Sequence, residues 1–552
     1  MTAVDTGPVT AALRAARELA QPAFTTVFDD EFVARFEGGD GPLAGVPFVV
    51  KDNLDVAGVP TTAACPARTS PAAAHATSVA RLVAAGAVPI AKANMDQFAT
   101  GLVGTRTPYG ACHSVYSSAH VSGGSSSGSA VAVAAGVVPL ALGTDTAGSG
   151  RVPAAFNGLV GFKPSRGVVP NTGLLPASPA LDCITTFTRT VAEARTAFAV
   201  LAGPDPADPY SRAFPVSPPP GVAQRMRVIG VPAAPLDLDP LHAAAWTAAL
   251  HHAAAVAQLV PVDVEPFLAA ARMLYGSALV AERLAAFGAE LEVDGPHLDP
   301  TVRSIVLGAG RFSAADAFAG LAELQRLRAL AQPVFEAVDA IMLPTTPGHP
   351  TLAEVAAEPV ATNARLGTFT NMVNLLDLCA VAVPAGARAD GLPFGVQLLA
   401  PAFADRPLLE LAARWCGEPE SAPEPRTLLA VAGAHLTGQP RNGDLVELGG
   451  RLHCRARTAA GYRMYLVPGP FPRPGLVRAD GPGEGIELEV WDLPASAADA
   501  LRPSIAPPLT LGPLELDDGR SVLGFVADPA AADPTRDITG WRSWRTYLRR
   551  EQ

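Results

Sequence analysis

Apolar residues come in short runs along most of this chain, separated by turn residues and by longer segments with helical spacing. Val46 to Val50 is one such run, and it predicts a buried strand that ends at Lys51. Ser78 to Gly86 predicts a helix and Val88 to Ala91 a strand, followed directly by Lys92. From Ser122 to Pro164 two Gly/Ser-rich loops flank an apolar segment. Ala130 to Val138 predicts a small-residue helix there, and Val138 to Gly143 a short core strand. A helix is predicted over Val9 to Leu19, and residues 165–190 read as loop-rich. Helices follow over Ala192–Leu201, His242–Leu259, Leu268–Leu291 and Ala314–Val338, with strands over Val228–Val231, Ala340–Leu343, Ala380–Val383 and Phe394–Leu399. This alternation is that of an α/β fold, a sheet covered by helices.

Two proline-rich stretches punctuate the pattern. Residues 203–222 read as a surface connection, and the Pro/Glu run beginning at Gly417 reads as a linker over 417–427. The division is therefore a large domain over 1–416 and a smaller unit over 428–552. Strand-like pieces of the second unit are Leu428–Val431, Tyr465–Val467, Ile486–Trp491 and Val522–Val526.

The two loops carry the candidate chemistry. The first is Gly123-Gly124-Ser125-Ser126-Ser127-Gly128-Ser129 and the second Thr146-Ala147-Gly148-Ser149-Gly150. As a linker this stretch is poorly suited, because apolar segments capable of burial follow both loops without a break. Helix and strand would bring both loops to one end of the sheet, where ligand sites of α/β folds sit. A serine hydroxyl needs a neighbouring base before it becomes a nucleophile. A neutral Lys51 would take the proton of Ser125, and Ser125 that of Ser149, which then attacks a carbonyl carbon. Backbone N–H groups of Thr146, Ala147, Gly148 and Ser149 would face the developing oxyanion. A competing arrangement exists in Gly124-Ser125-Ser126-Ser127-Gly128, which fits the G-x-S-x-G turn with Ser126 as nucleophile. That alternative wants a catalytic histidine downstream, and none of the seven later histidines sits in a marked pattern. No glycine loop ends in Gly-Lys-Ser/Thr, which disfavours a phosphate-binding loop.

Composition sharpens this. Of 41 basic residues only Lys51, Lys92 and Lys163 are lysines. Arginine keeps its charge at any accessible pH, whereas a buried lysine can lose its proton and act as a base. A lysine head that snorkels to water is the plain alternative at Lys51. The net charge of −11 argues against nucleic acid as a partner. No apolar run of membrane-spanning length and no secretory leader are evident, and the six scattered cysteines suit free thiols in a cytoplasmic setting.

The stretch from Ser122 to Pro164 resembles the amidase signature family, in which GGSSSGSA is followed by a second serine in a tight turn. The match extends to Lys51 in VPFVVKDN and to GFKP at 161–164. The resemblance implies Lys51 as base, Ser125 as bridging serine, Ser149 as nucleophile, and a cis peptide at Gly124-Ser125. It implies a central mixed sheet covered by helices, followed here by a smaller α+β domain. Ala147 departs from the family's usual glycine, mildly, since the oxyanion donors are backbone groups. Residues 431–442, Tyr462 to Gly469, Glu489-Val490-Trp491 and the closing 537–548 stretch resemble the C-terminal domain of the allophanate hydrolase family.

That second resemblance implies hydrolysis of allophanate, a carboxylated urea, to ammonia and carbon dioxide, with no cofactor and no metal. Tyr275, Arg283 and Gly124 are the implied substrate-binding residues. Tyr275 and Arg283 lie eight apart on a predicted helix, within about 80° of each other around its axis. Arginine suits bidentate contact with a carboxylate, while an ordinary core tyrosine and a solvated arginine are the plain alternative. His435 is the candidate in the second domain for the loss of carbon dioxide, against a purely architectural role. The resemblance also implies a homodimer, and a separate urea carboxylase or cyanurate-pathway enzyme to supply the substrate. Other readings are an amidase of another small amide or of amidated transfer RNA, and a binding protein that has lost activity.

Overall fold

Short apolar runs bounded by turns build one large sheet. The computed structural model describes residues 7–215, 225–292, 295–420, 426–467, 472–479 and 485–550. Its contacts divide the chain into two units, the first ending at Glu420. The strands of the first unit are β1 (Phe24–Val27), β2 (Pro47–Lys51), β3 (Val88–Ala93), a small hairpin β4 (His113–Ser114) and β5 (Ser117–Val121), β6 (Leu140–Thr144), β7 (Val160–Lys163), β8 (Ile184–Thr188), β9 (Val228–Pro232), β10 (Gln258–Val262), β11 (Ala340–Pro344), β12 (Leu378–Ala387) and β13 (Pro393–Pro401). Eleven of them form a mixed sheet in the order β1-β3-β2-β6-β8-β7-β12-β13-β11-β9-β10. β2 is parallel to both β3 and β6, whereas β8 is antiparallel to β6 and β7. Lys51 thus ends β2 on the side where parallel β6 runs into the second Gly/Ser loop. Every residue of β2, β3, β6, β7 and β8 is buried, as strands covered on both faces require.

Several elements differ from the sequence reading. β8 lies at the middle of the sheet, inside the stretch read as loop-rich. Its sequence, Ile-Thr-Thr-Phe-Thr, is rich in β-branched residues but too polar to stand out as a core run. The helix expected over His242–Leu259 is Pro240–Val256, and the chain then turns extended at Ala257 to form β10. The long helix expected over Leu268–Leu291 is broken. Glu265–Gly276 stops at Ser277, whose hydroxyl accepts from Leu279 N at 3.3 Å and restarts the chain, leading into Ala281–Glu292. Gly276-Ser277 is the sequence signal for that break. The helix expected over Ala314–Val338 ends at Ala331, ahead of Pro333.

The proline-rich stretches fall partly outside the described residues, at 216–222 of the first and 421–425 of the linker. Within the linker's start, Glu418 is held. Its carboxylate accepts from Val191 N (2.8 Å) and Ala192 N (2.9 Å) at the head of the helix Val191–Leu201.

The second unit has its own sheet and its own core. β14 (Arg426–Val431), β15 (Arg451–Arg457), β16 (Tyr462–Val467), β17 (Arg473–Arg478), β18 (Glu487–Pro494) and β20 (Ser521–Ala527) run in the order β15-β18-β14-β20-β17-β16, and β19 (Leu509–Glu515) pairs with β20. β15, β17 and β19 lay outside the sequence reading, because arginine, proline and glycine interrupt their apolar alternation.

Phe187 of β8 is fully buried in the main core. Phe187→Ala is expected to cost about 3–5 kcal/mol, read as a lowered urea midpoint of the first unit. A midpoint like that of the wild type would contradict the central position of β8.

Candidate active site

β2 delivers the lysine and β6 its neighbours. Lys51 is fully buried, and its Nζ donates to Ser125 Oγ at 2.7 Å and to Thr144 Oγ1 at 2.7 Å. Burial lowers its pKa from 10.5 to about 7, against the fields of Asp96, Asp182 and Asp145, which raise it. The amine does not snorkel. A large share of it is therefore neutral near pH 7 and able to accept a proton from the serine that it touches. Lys92 and Lys163 are buried as well but engaged differently. Lys92 pairs with Asp52 at 3.2 Å, and Lys163 donates to the carbonyl of Pro164 at 2.7 Å.

The first loop is tied to the end of β6. Ser126 Oγ donates to Thr144 O (3.1 Å) and accepts from Thr144 N (3.3 Å). This occupies the hydroxyl that the G-x-S-x-G alternative needs as nucleophile, so that alternative fails. The helix that follows is Ser127–Ala134, shorter than and N-terminal to the expected one. The Gly124-Ser125 peptide is cis. Gly124 packs against Asp96, and a Cβ added there would lie 2.1 Å from Asp96 Oδ2. Asp96 itself accepts from the backbone N–H groups of Val103, Gly104 and Arg106, and its own N–H donates to Ser125 O at 3.1 Å.

The second loop is braced from beneath by Asp145. Its carboxylate accepts from Gly148 N (2.7 Å) and Gly150 N (3.1 Å), and Arg151 grips it through Nε and Nη2, both at 2.9 Å. Burial alone would raise this carboxyl, but Arg151 and the neighbouring donors hold it below its ordinary range. Arg151 also donates to Gln397 Oε1 at 2.8 Å. One expectation is corrected here: the N–H of Gly148 points to Asp145 and is not free for an oxyanion. Among the described residues the N–H groups of Thr146, Ala147 and Ser149 have no acceptor, which leaves three candidate donors. Gly148 is required for another reason. Its φ is +136°, and a Cβ there would lie 2.3 Å from Thr370 Oγ1.

Lys51 and Ser125 are in direct contact, whereas no hydrogen bond joins Ser125 Oγ to Ser149 Oγ. Ser149 is buried in the adjacent turn. Such bonds are often long without substrate and tighten in the complex.

Tyr275 and Arg283 meet, though not as predicted. They belong to two helices separated by the break at Ser277, and Arg283 Nη2 donates to Tyr275 OH at 3.3 Å with its guanidinium 5.2 Å from the ring centroid. Arg283 is fully buried, and its Nε and Nη1 have no hydrogen-bond partner among the described residues. A buried cation so poorly paired has donors to offer an anion.

Thr144, Asp145, Arg151 and Asp182 were not singled out by the sequence reading. A signal was present, since Asp145, Arg151 and Asp182 are charges set in otherwise small and apolar stretches. In the second unit, His435 is buried and stacked on Phe525, with ring centroids 4.9 Å apart. Burial pushes its pKa down to about 4, and it lines a cavity with Arg441, Arg473 and Ser504. Among the described residues no cluster of three or more His, Cys, Asp or Glu could hold a metal ion.

Comparison with known proteins places this geometry. The Amidase family model matches residues 13–409 and the model "Allophanate hydrolase C-terminal domain" matches residues 427–549. Urea amidolyase of Saccharomyces cerevisiae is 40% identical over 542 residues, covering 92% of this chain but 30% of that protein. The chain thus spans about a third of the length of the urea amidolyases it matches. The 2-amino-5-chloromuconic acid deaminase of Comamonas testosteroni is 36% identical, over 67% of this chain and 81% of its own. The crystal structure of Kluyveromyces lactis allophanate hydrolase matches with a TM-score of 0.73 at 37% identity, covering 99% of this chain and 98% of the other.

If the neutral amine of Lys51 is the base, activity rises with pH through an apparent pKa of about 7. A rate independent of pH between about 6 and 9 would rule that out. Lys51→Met is expected to abolish turnover while raising thermal stability by about 1–2 kcal/mol. The sign follows from the lowered pKa: the folded protein binds this proton more weakly than the unfolded chain. The lysine's destabilising effect is therefore full below about pH 7 and relieved toward 10.5.

Proposed function

We propose, from the premise that this chain belongs to the amidase family and carries an allophanate hydrolase C-terminal domain, that it hydrolyses allophanate. The observation that carries the reaction class is the buried Lys51 amine hydrogen-bonded to Ser125. Lys51 draws the proton of Ser125, and Ser125 draws that of Ser149. Ser149 Oγ then attacks the terminal carbamoyl carbon. The oxyanion forms facing the N–H groups of Thr146, Ala147 and Ser149, and such donors are worth about 10²–10³ each in rate. The C–N bond to the terminal nitrogen breaks, that nitrogen takes the relayed proton, and ammonia leaves. Water then cleaves the ester on Ser149 and releases a nitrogen bearing two carboxylates, which loses carbon dioxide.

Arg283 supports the choice of an anionic substrate, since its buried Nε and Nη1 suit a carboxylate. Tyr275 supports the same end of the substrate through its contact with Arg283. Gly124 acts by letting the backbone beside the bridging serine pack against Asp96. His435 is proposed to assist the loss of carbon dioxide, as a neutral imidazole in a cavity that it shares with two arginines. Assembly as a homodimer and supply of allophanate by a separate urea carboxylase or cyanurate-pathway enzyme belong to the same proposal. So does a cytoplasmic setting, in which the six cysteines stay free.

The test is ammonia release from allophanate, set beside a panel of neutral amides. Wild type should prefer allophanate, and Lys51→Ala and Ser149→Ala should each lose at least about 10³-fold. Arg283→Gln should raise KM for allophanate by about tenfold or more with little effect on a neutral amide. Equal turnover of neutral amides would favour an amidase of another small amide.

A further inference from the structure

A second buried carboxylate stands between the oxyanion turn and the arginine, and the proposed reaction does not use it. Asp182 Oδ1 accepts from Thr146 Oγ1 at 2.5 Å. Its Oδ2 accepts from Ala177 N at 2.9 Å and Ser178 N at 3.0 Å. The same 177–180 segment is gripped from the other side by Glu282, which accepts from Ser178 Oγ and, at 2.8 Å, from Ala180 N. Glu282 is the residue before Arg283 on the helix Ala281–Glu292. An unbroken line of hydrogen bonds thus runs from the helix that presents the guanidinium to the turn that presents the oxyanion donors. Asn374 closes it from below, donating to Asp145 O (2.7 Å) and Leu181 O (2.8 Å).

We propose that Asp182 is a positioning residue that couples occupancy of the Arg283 anion site to the placement of the oxyanion turn. This rests on Arg283 being the seat of the substrate carboxylate. Asp182 is fully enclosed and attracted by Arg283, and it also acts on Lys51 across the site. In the free protein it is the negative charge that partly balances the guanidinium. A substrate carboxylate takes over that balance. Asp182 is then released from the pull of the guanidinium and keeps its bonds to Thr146 and the 177–178 backbone, which fixes the turn when charge develops on the carbonyl oxygen. Burial pushes its carboxyl up to about 6, so it is ionised at pH 8, where the test is made.

The split between kcat and KM tests this. In Asp182→Asn the amide cannot accept from Thr146 and from both backbone N–H groups at once, and the competing charge is gone. Ammonia release from allophanate at pH 8 should show kcat at least about tenfold lower and KM at least about threefold lower. A merely structural role would lower kcat and raise KM together, and that result overturns the proposal, as does no change in either. Thr146→Val breaks the same bond from its other end. It should lower kcat by about tenfold and leave KM within about twofold, while Thr146→Ser, which keeps the hydroxyl, should restore most of the kcat lost in Thr146→Val. If Asp182→Asn fails to fold, a wild-type kcat in Thr146→Val overturns the proposal. If wild type releases no ammonia from allophanate, the substrate reading fails by itself. The coupling is then judged by fluorophosphonate labelling of Ser149. Labelling at least about tenfold slower in Thr146→Val sustains it, and equal labelling ends it.

Discussion

The catalytic end of this sheet depends on keeping one amine out of water without giving it a direct counter-ion. Lys51 faces two hydroxyls, and no carboxylate touches it. Three carboxylates are near enough to be felt, yet each is committed elsewhere: Asp96 to the 103–106 backbone, Asp145 to Arg151 and the second loop, Asp182 to Thr146 and the 177–178 backbone. Had one of them paired with Lys51, the pair would favour the charged amine and work against its use as a base. Lys92 is the internal contrast. It is as deeply buried and sits on the neighbouring strand, but it meets Asp52 at 3.2 Å and is held as half of an ion pair. Burial lowers the pKa of both lysines, but on adjacent strands one nitrogen touches two hydroxyls and the other a carboxylate that opposes the shift.

Those commitments also tie down the second loop. Asp145 receives two of its N–H groups and a two-point grip from Arg151, which is anchored in turn on Gln397 of β13. Charged groups this deep destabilise a fold unless every one is satisfied. The Asp145–Arg151 pair is satisfied, whereas Arg283 keeps two nitrogens without a hydrogen-bond partner among the described residues.

Much of this was legible in the chain. Lys51 at a strand end, the two serines in their loops and the αβ alternation follow from local pattern, because short apolar runs and Gly/Ser turns are local signals. What escaped was set by tertiary pairing. β8 is a strand because β6 and β7 flank it, and its threonines look like loop to a reader of one sequence. Tyr275 and Arg283 are implied by the resemblance, but the continuous helix expected to carry them is broken, and they meet across a break that Gly276-Ser277 signals. The loss of Gly148 as an oxyanion donor needed the position of Asp145, three residues earlier but folded back beneath the turn.

One further consequence follows from where the lysines lie. Exposed positive charge on this protein is carried by arginine, and the three ε-amines are sealed inside, none more than 1% accessible. Reagents and transferases that acylate side-chain amines therefore find no target on the folded first unit. Uptake of such a label at these positions reports that the sheet has opened.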